Sequence, residues 1–306
     1  MTNETRGLWL GLLGVVLFAV TLPMTKLATG SATDPQLSPM FVTFGRAAVA
    51  GVLSVIYLLL TRGSLPRGRQ WPMLAFTACG LVVGFPLFLA LGLRHVEGVH
   101  ASVVIGILPL ATAVLASLWM RQRPSVGFWA CAVTGSALVA AFVMVRSQGA
   151  TSAAQWADLL LLLAVLSAAT GYVGGGQLTP HLGAERVICW VLVISLPVTV
   201  PVSLLNLPGA PVLASAWIGF AYVAVVSMWL GFFAWYRGLA LGGMVRVSQV
   251  QLVQPFLSMV FSVPLLGESL DLMTVGFALA VIATVFIGKR MPVHAAAATP
   301  TYSRAT

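Results

Sequence analysis

The stretch from Gly98 to Pro124, GVHASVVIGILPLATAVLASLWMRQRP, has no acidic residue, lysine or arginine until it reaches Arg121 and Arg123. Crossing about 30 Å of hydrocarbon takes about 20 apolar residues in a helix, so this stretch predicts one membrane span closed by a basic turn. Sliding the chain by 146 residues lays it over Met244 to Leu270, MVRVSQVQLVQPFLSMVFSVPLLGESL, where Ser102 meets Ser248 and Pro109 meets Pro255. The same offset pairs Gly92-Leu93 with Gly238-Leu239 and Trp71 with Trp217. The closing turns differ in sign: Met120-Arg121-Gln122-Arg123-Pro124 is basic, whereas Gly267-Glu268-Ser269-Leu270-Asp271 is acidic.

Working outward, ten apolar stretches have span length: 7–28, 39–60, 71–93, 98–120, 124–145, 156–176, 184–205, 214–240, 244–266 and 271–289. Each half holds five, an odd number, so consecutive copies insert in opposite orientations, as the reversed turn charge requires. The predicted fold is an all-α membrane protein of ten transmembrane helices in two inverted five-helix repeats, 1–150 and 151–290. Repeats related in this way can exchange inward-open and outward-open shapes around a central site, which favours a transporter.

Composition agrees, because 59% hydrophobic residues, 8% charged residues and a mean hydropathy of +0.99 exclude a water-soluble domain. In a soluble protein the net charge of +9 would suggest nucleic acid; here the charges sit in loops, where topology explains them and no nucleic-acid partner is expected. With the amino terminus inside, the cytoplasmic side collects Arg6, Arg62, Arg67, Arg69, Arg121, Arg123, Arg186, Arg237, Arg246, Lys289, Arg290 and Arg304. Lys26, Arg94 and Arg146 fall outside, and Arg46 lies within a span. Both termini are therefore expected in the cytoplasm, with the chain in a bacterial-type inner membrane. The first apolar run is nearer a full span than a signal-peptide core. Cys79, Cys131 and Cys189 lie in apolar stretches without metal-ligand spacing and read as packing residues, so no disulfide, metal or cofactor is expected. There is no H-E-x-x-H, no G-x-S-x-G and no pair of acids in a span, which argues against an intramembrane enzyme.

Gln254-Pro255-Phe256-Leu257-Ser258, running into Pro264-Leu265-Leu266-Gly267-Glu268-Ser269-Leu270 and an apolar span opening near Gly276, resembles the carboxy-terminal repeat of the EamA family of the drug/metabolite transporter superfamily. The first repeat is similar in Lys26 at the end of span one, Arg46 early in span two, Gly92 before span four and Pro109 within it. The resemblance covers about 10–290 and implies ten helices, two repeats and export of small metabolites, often amino acids. Two departures, Phe18 where tryptophan is frequent and Met120-Arg121-Gln122-Arg123 in place of Gly-Glu, bear on the substrate rather than the fold.

Polar and aromatic groups inside spans are the candidate site, because lipid offers them no partner. Gln251, Gln254 and Ser258 share a helical face, with Ser248 one turn earlier; they read either as cavity lining or as interhelical glue. Tyr222, Trp229, Phe233 and Tyr236 form an aromatic stripe that packs or holds an ammonium group by cation–π attraction. Span six offers Tyr172 and Gln177 beside a Gly171-Tyr172-Val173-Gly174-Gly175-Gly176 run suited to close helix approach or gating. Thr21 and Pro23 mark span one, and Pro23, Pro109 and Pro255 are candidate kinks or gates. Arg46 lies roughly 10 Å into span two by helix rise, where it snorkels to the surface or binds a carboxylate. His100 is the titratable residue there, and the seven acids all fall at or near span ends. Any proton coupling is thus expected to be weak or to use His100 or an end carboxylate.

The leading expectation is a monomeric exporter of amino acids, its partners being a small-molecule substrate and membrane lipid. Trp229, Tyr236, Gln251 and Gln254 would meet the ammonium, and Lys26, Arg46 or a tyrosine hydroxyl the carboxylate. An exporter of lipophilic or cationic drugs and a non-transporting membrane subunit are the alternatives. The tail 291–306 reads as disordered and cytoplasmic.

Overall fold

The computed structural model describes residues 2–119, 123–146, 152–242, 250, 253–291 and 293–294. Ten helical spans follow one another, each opened or closed by local chemistry. Helix α1, Asn3–Thr29, starts where Thr2 accepts the Thr5 amide at 3.3 Å and changes course at Val20. Helix α2, Pro39–Leu60, opens with Ser38 accepting the Phe41 amide at 3.0 Å and with Pro39, whose missing N–H costs nothing at a helix start. Helix α3, Gln70–Gly92, contains a wide π-type segment, Cys79–Gly84. Helix α4, Gly98–Trp119, is interrupted at Gly106 and Ile107. Helices α5 (Val126–Arg146) and α6 (Ser152–Leu182) follow. Gly183, at φ +87°, turns the chain into α7, Ala184–Leu205. Helix α8, Ala214–Gly238, continues to Gly242 and carries a second π-type segment, Tyr222–Leu230. The described part of α9, Gln254–Leu266, ends at Gly267 in the left-handed region, and α10, Leu272–Arg290, is capped by Asp271.

Seven of these helices are long and apolar enough to cross a membrane; α5, α9 and α10 are shorter apolar helices over the described residues. Leu59, Val126, Leu166 and Leu205 are exposed on the outside of the bundle, as side chains facing lipid should be. Inside, hydroxyls return to their own helices: Thr25 donates to the Thr21 carbonyl, Thr29 to Thr25, Ser102 to Gly98 and Ser262 to Ser258. Such back-bonding satisfies a buried hydroxyl without a partner helix, so few polar residues of the spans are left for a ligand.

The packing maps onto itself when the halves are exchanged. Helix α1 packs on α8 and its counterpart α6 on α3, while α2 meets α7, α4 meets α9, and α5 meets α10. At the first pair of crossings side chains are removed so that backbones can touch. A Cβ on Gly80 of α3 would stand 2.5 Å from the Ser167 carbonyl of α6, and one on Gly238 of α8 would stand 2.6 Å from the Gly11 nitrogen of α1. The two π-type segments also correspond, since the 146-residue offset carries Cys79–Gly84 into Tyr222–Leu230.

Pro109 and Pro255 each stand second in a helical segment, Leu108–Trp119 and Gln254–Leu266, where proline suits a helix start, and the segment with Pro109 follows the interruption of α4 at Gly106 and Ile107. Past α10, Val293–His294 pair antiparallel with Arg123–Pro124, so these two tail residues have a fixed partner. The rest of the tail expected to be disordered, 295–306, lies outside the described residues.

Candidate substrate cavity

Near the middle of the bundle seven helices leave a cavity with about 410 Å³ of empty space. Phe18 and Thr21 of α1, Arg46 of α2, Leu81 and Phe85 of α3, Leu108 of α4, Tyr172 of α6, Ser227, Met228 and Phe232 of α8 and Gln254 of α9 line it. A smaller space of about 300 Å³ adjoins it through Leu108 and Gln254 and reaches Leu22, Ser102, Ile105, Pro255 and Ser258. Two lining pairs are related by the repeat offset, Leu81 with Ser227 and Leu108 with Gln254. In both pairs the first half supplies a leucine and the second a polar side chain. The π-type segments supply Leu81, Ser227 and Met228, which places a wide turn against the cavity from either half.

Arg46 is 2% exposed, so it does not snorkel to the surface. Its Nη2 donates to the Met228 sulfur at 3.2 Å, a weak acceptor, and its Nε and Nη1 have no partner among the described residues. Gln254 Oε1 is likewise buried without a partner among them. Thr21 and Ser227 share a hydrogen bond of 2.7 Å across α1 and α8. Beside them Pro23, having no N–H, cannot close the helical bond to the Ala19 carbonyl, and Ser258 of α9 donates to that carbonyl at 2.9 Å. Pro23 therefore works as a join between the halves.

The cavity thus gathers Thr21, Arg46, Tyr172 and Gln254, with Pro255 in the adjoining space. The aromatic stripe of α8 does not enter it as a row. Trp229 and Phe233 pack on Tyr57, at 6.5 and 4.7 Å between ring centroids, Tyr236 lies tilted against Phe232 at 5.6 Å, and Tyr222 donates to the Leu17 carbonyl at 3.0 Å. Gln177 is half-buried and is not among the lining residues. Ser248 and Gln251 lie outside the described residues, as does the side chain of Pro109. Leu81, Phe85, Ser227, Met228 and Phe232 were not singled out by sequence; the signal available for Ser227 was its place opposite Leu81 in the repeat.

Polar clusters tie the halves at both ends of the bundle. At one end Lys26 Nζ lies 3.2 Å from Glu268 Oε1 and donates to the Val96 carbonyl at 2.6 Å. The Glu268 carboxylate also accepts the Gly98 and Val99 amides, at 2.7 and 2.8 Å, and so caps α4 from the loop after α9. Lys26 is thereby committed and does not face the cavity. At the other end Glu185 accepts from the Tyr57 hydroxyl at 3.3 Å and from Arg237 at 3.5 Å, in a more exposed setting. His100 also stands apart from the cavity lining: its Nε2 lies 2.6 Å from Asp158 Oδ1. Among the described residues no group of three or more histidine, cysteine or acidic side chains could hold a metal ion.

A profile described as the EamA-like transporter family matches residues 5–146 and 155–288. The chain is 40% identical over 295 residues to the uncharacterized transporter YdeK of Bacillus subtilis strain 168, covering 94% of this chain and 99% of that protein. It is 25% identical over 298 residues to a probable terminal-alkyne amino-acid exporter of Streptantibioticus cattleyicolor, covering 94% of each. A chain of known crystal structure superposes with a TM-score of 0.63 at 16% identity, covering 93% of this chain and 96% of that one, a likeness of fold.

Proposed function

This multi-pass membrane protein belongs to the EamA-like transporter family, a family of transporters and not of enzymes, and from that membership we propose that it exports small zwitterionic metabolites bearing a carboxylate, amino acids foremost. The observation that carries the substrate class is Arg46. A guanidinium buried with two unpaired donors is costly, by several kcal/mol if nothing answers its charge. A carboxylate entering the cavity answers it, because the planar fork of donors matches two carboxylate oxygens. The ammonium half of the substrate meets the rings of Phe18, Phe85, Tyr172 and Phe232 and the free Oε1 of Gln254. The same fixed charge repels a lipophilic cation, which removes the premise of the drug-exporter alternative, a cavity without charge. The relative named as a probable amino-acid exporter lends independent support.

In this reading a monomer works by alternating access between its repeats, 1–150 and 151–290, in a bacterial-type inner membrane with both termini in the cytoplasm. The test is flux in proteoliposomes. Labelled amino acids should be exchanged by the wild type, and Arg46→Met should abolish that exchange. Exchange unchanged in the variant, or wild-type transport of tetraphenylphosphonium that amino acids do not inhibit, would overturn the reading.

A further inference from the structure

We propose that the His100–Asp158 pair is the proton-binding site that couples solute movement to a proton gradient; the inference rests on the transport reading above and names its driving ion. His100 stands in the first turn of α4 and Asp158 near the start of α6, so the pair bridges the two halves that must part during alternating access. The residues are 9% and 5% exposed, and the ring of Phe142 lies against the imidazole at 4.9 Å between centroids. Two residues along α4, Ser102 lines the smaller cavity.

Histidine is the side chain whose charge ordinarily changes between about pH 5 and 8. Uptake of one proton raises the charge of the pair by one unit in a site where both groups are buried. Separating the halves exposes both groups to water, where the proton can leave. One proton enters from water on one side and departs on the other, and no other bond forms or breaks.

Other charged groups lie on the segments packed around the pair, among them Arg94, whose Nε is buried without a partner among the described residues. Lys26 of α1 and Glu268 after α9 hold each other. Helix α9 has no ionisable side chain over Gln254–Leu266, α5 carries Arg146 at its end, and α10 has Asp271 as its cap and Lys289 and Arg290 at its far end. Arg94, His95 and Glu97 precede α4. The repeat offset sets Arg246 opposite His100 and Leu12 opposite Asp158, so the pair is present in one copy.

The full chain on a solid-supported membrane tests the inference without reference to any solute. A pH jump should displace charge in the wild type and about tenfold less in His100→Gln and Asp158→Asn. The triple variant H95Q/H181Q/H294Q, where His100 is the last imidazole, should keep the wild-type response. Full displacement in either single variant, or its loss in the triple variant, overturns the proposal. In liposomes at equal pH both single variants should still exchange labelled amino acid, which shows that they fold, while accumulation driven by a pH gradient is lost. Wild-type exchange with no charge displacement sinks the proton site alone. Charge displacement that depends on His100 without amino-acid exchange sinks the substrate reading and leaves the proton site standing.

Discussion

Changing Glu268 to glutamine removes the charge that ties the loop after α9 to the start of α4. The carboxylate accepts the Gly98 and Val99 amides at 2.7 and 2.8 Å and faces Lys26 at 3.2 Å, with its side chain 6% exposed. Those amides begin a helix and have no intrahelical carbonyl to meet, so Glu268 is their acceptor. Glutamine keeps the shape and one oxygen, but it leaves Lys26 without a counter-ion. Removing one member of a buried pair costs about 3–5 kcal/mol, and hydrogen bonds to a charged group are worth about 1.5–3 kcal/mol. Lys26 is part-exposed, which screens the loss and sets it near the lower end, about 3 kcal/mol. At about 1.4 kcal/mol per tenfold, local opening rises roughly 100-fold. Hydrogen–deuterium exchange in nanodiscs reads this directly: amides over 96–104 should exchange roughly 100-fold faster, while peptides from α7 keep their rates. Rates over 96–104 that stay near those of the wild type would refute the clamp. Lys26→Met should be non-additive with Glu268→Gln, because the two side chains share one interaction.

Two further outcomes follow from the packing. Ser258→Ala leaves the Ala19 carbonyl without its donor and should cost about 1–3 kcal/mol in thermal unfolding, and Pro23→Ala, by restoring an N–H to that carbonyl, should recover part of the loss. Equal cost of Ser258→Ala in both backgrounds would show that the carbonyl is not what Ser258 serves. Gly80→Ala drives a methyl to 2.5 Å from the Ser167 carbonyl and should lower stability by about 1–3 kcal/mol, whereas Gly276→Ala, which meets nothing within 4 Å, should leave the melting temperature unchanged or raised.

The spans were legible because lipid imposes a length: apolar stretches such as 39–60 and 184–205 coincide with Pro39–Leu60 and Ala184–Leu205. The aromatic stripe was not legible, for a physical reason. Its spacing assumes 3.6 residues per turn, and the π-type segment Tyr222–Leu230 winds more widely, so Tyr222 turns to the Leu17 carbonyl while Trp229 and Phe233 stay together against Tyr57. Glu268 could be placed at the end of a span, yet nothing local marks it as the cap of a helix that begins 170 residues earlier. Arg46 was visible as a charge inside a span, but whether it snorkels or stays depends on what other helices bring, here Met228 and Ser227. Hydroxyls such as Thr25 and Thr29 look equally polar in sequence and are satisfied within one turn, a distinction that only hydrogen-bond geometry makes.

The lining pairs Leu81 with Ser227 and Leu108 with Gln254 have a thermodynamic consequence. In the proposed alternating access, swapping the conformations of the repeats turns one scaffold into the other, but the polar side chains remain on the second half. A solute therefore meets a different surface on each side of the membrane, and its two dissociation constants have no reason to agree. Detailed balance then fixes their ratio to the shift in conformer population between empty and loaded protein. Lopsided chemistry decides which side saturates first and where the resting carrier waits; it performs no net work, which must come from a gradient.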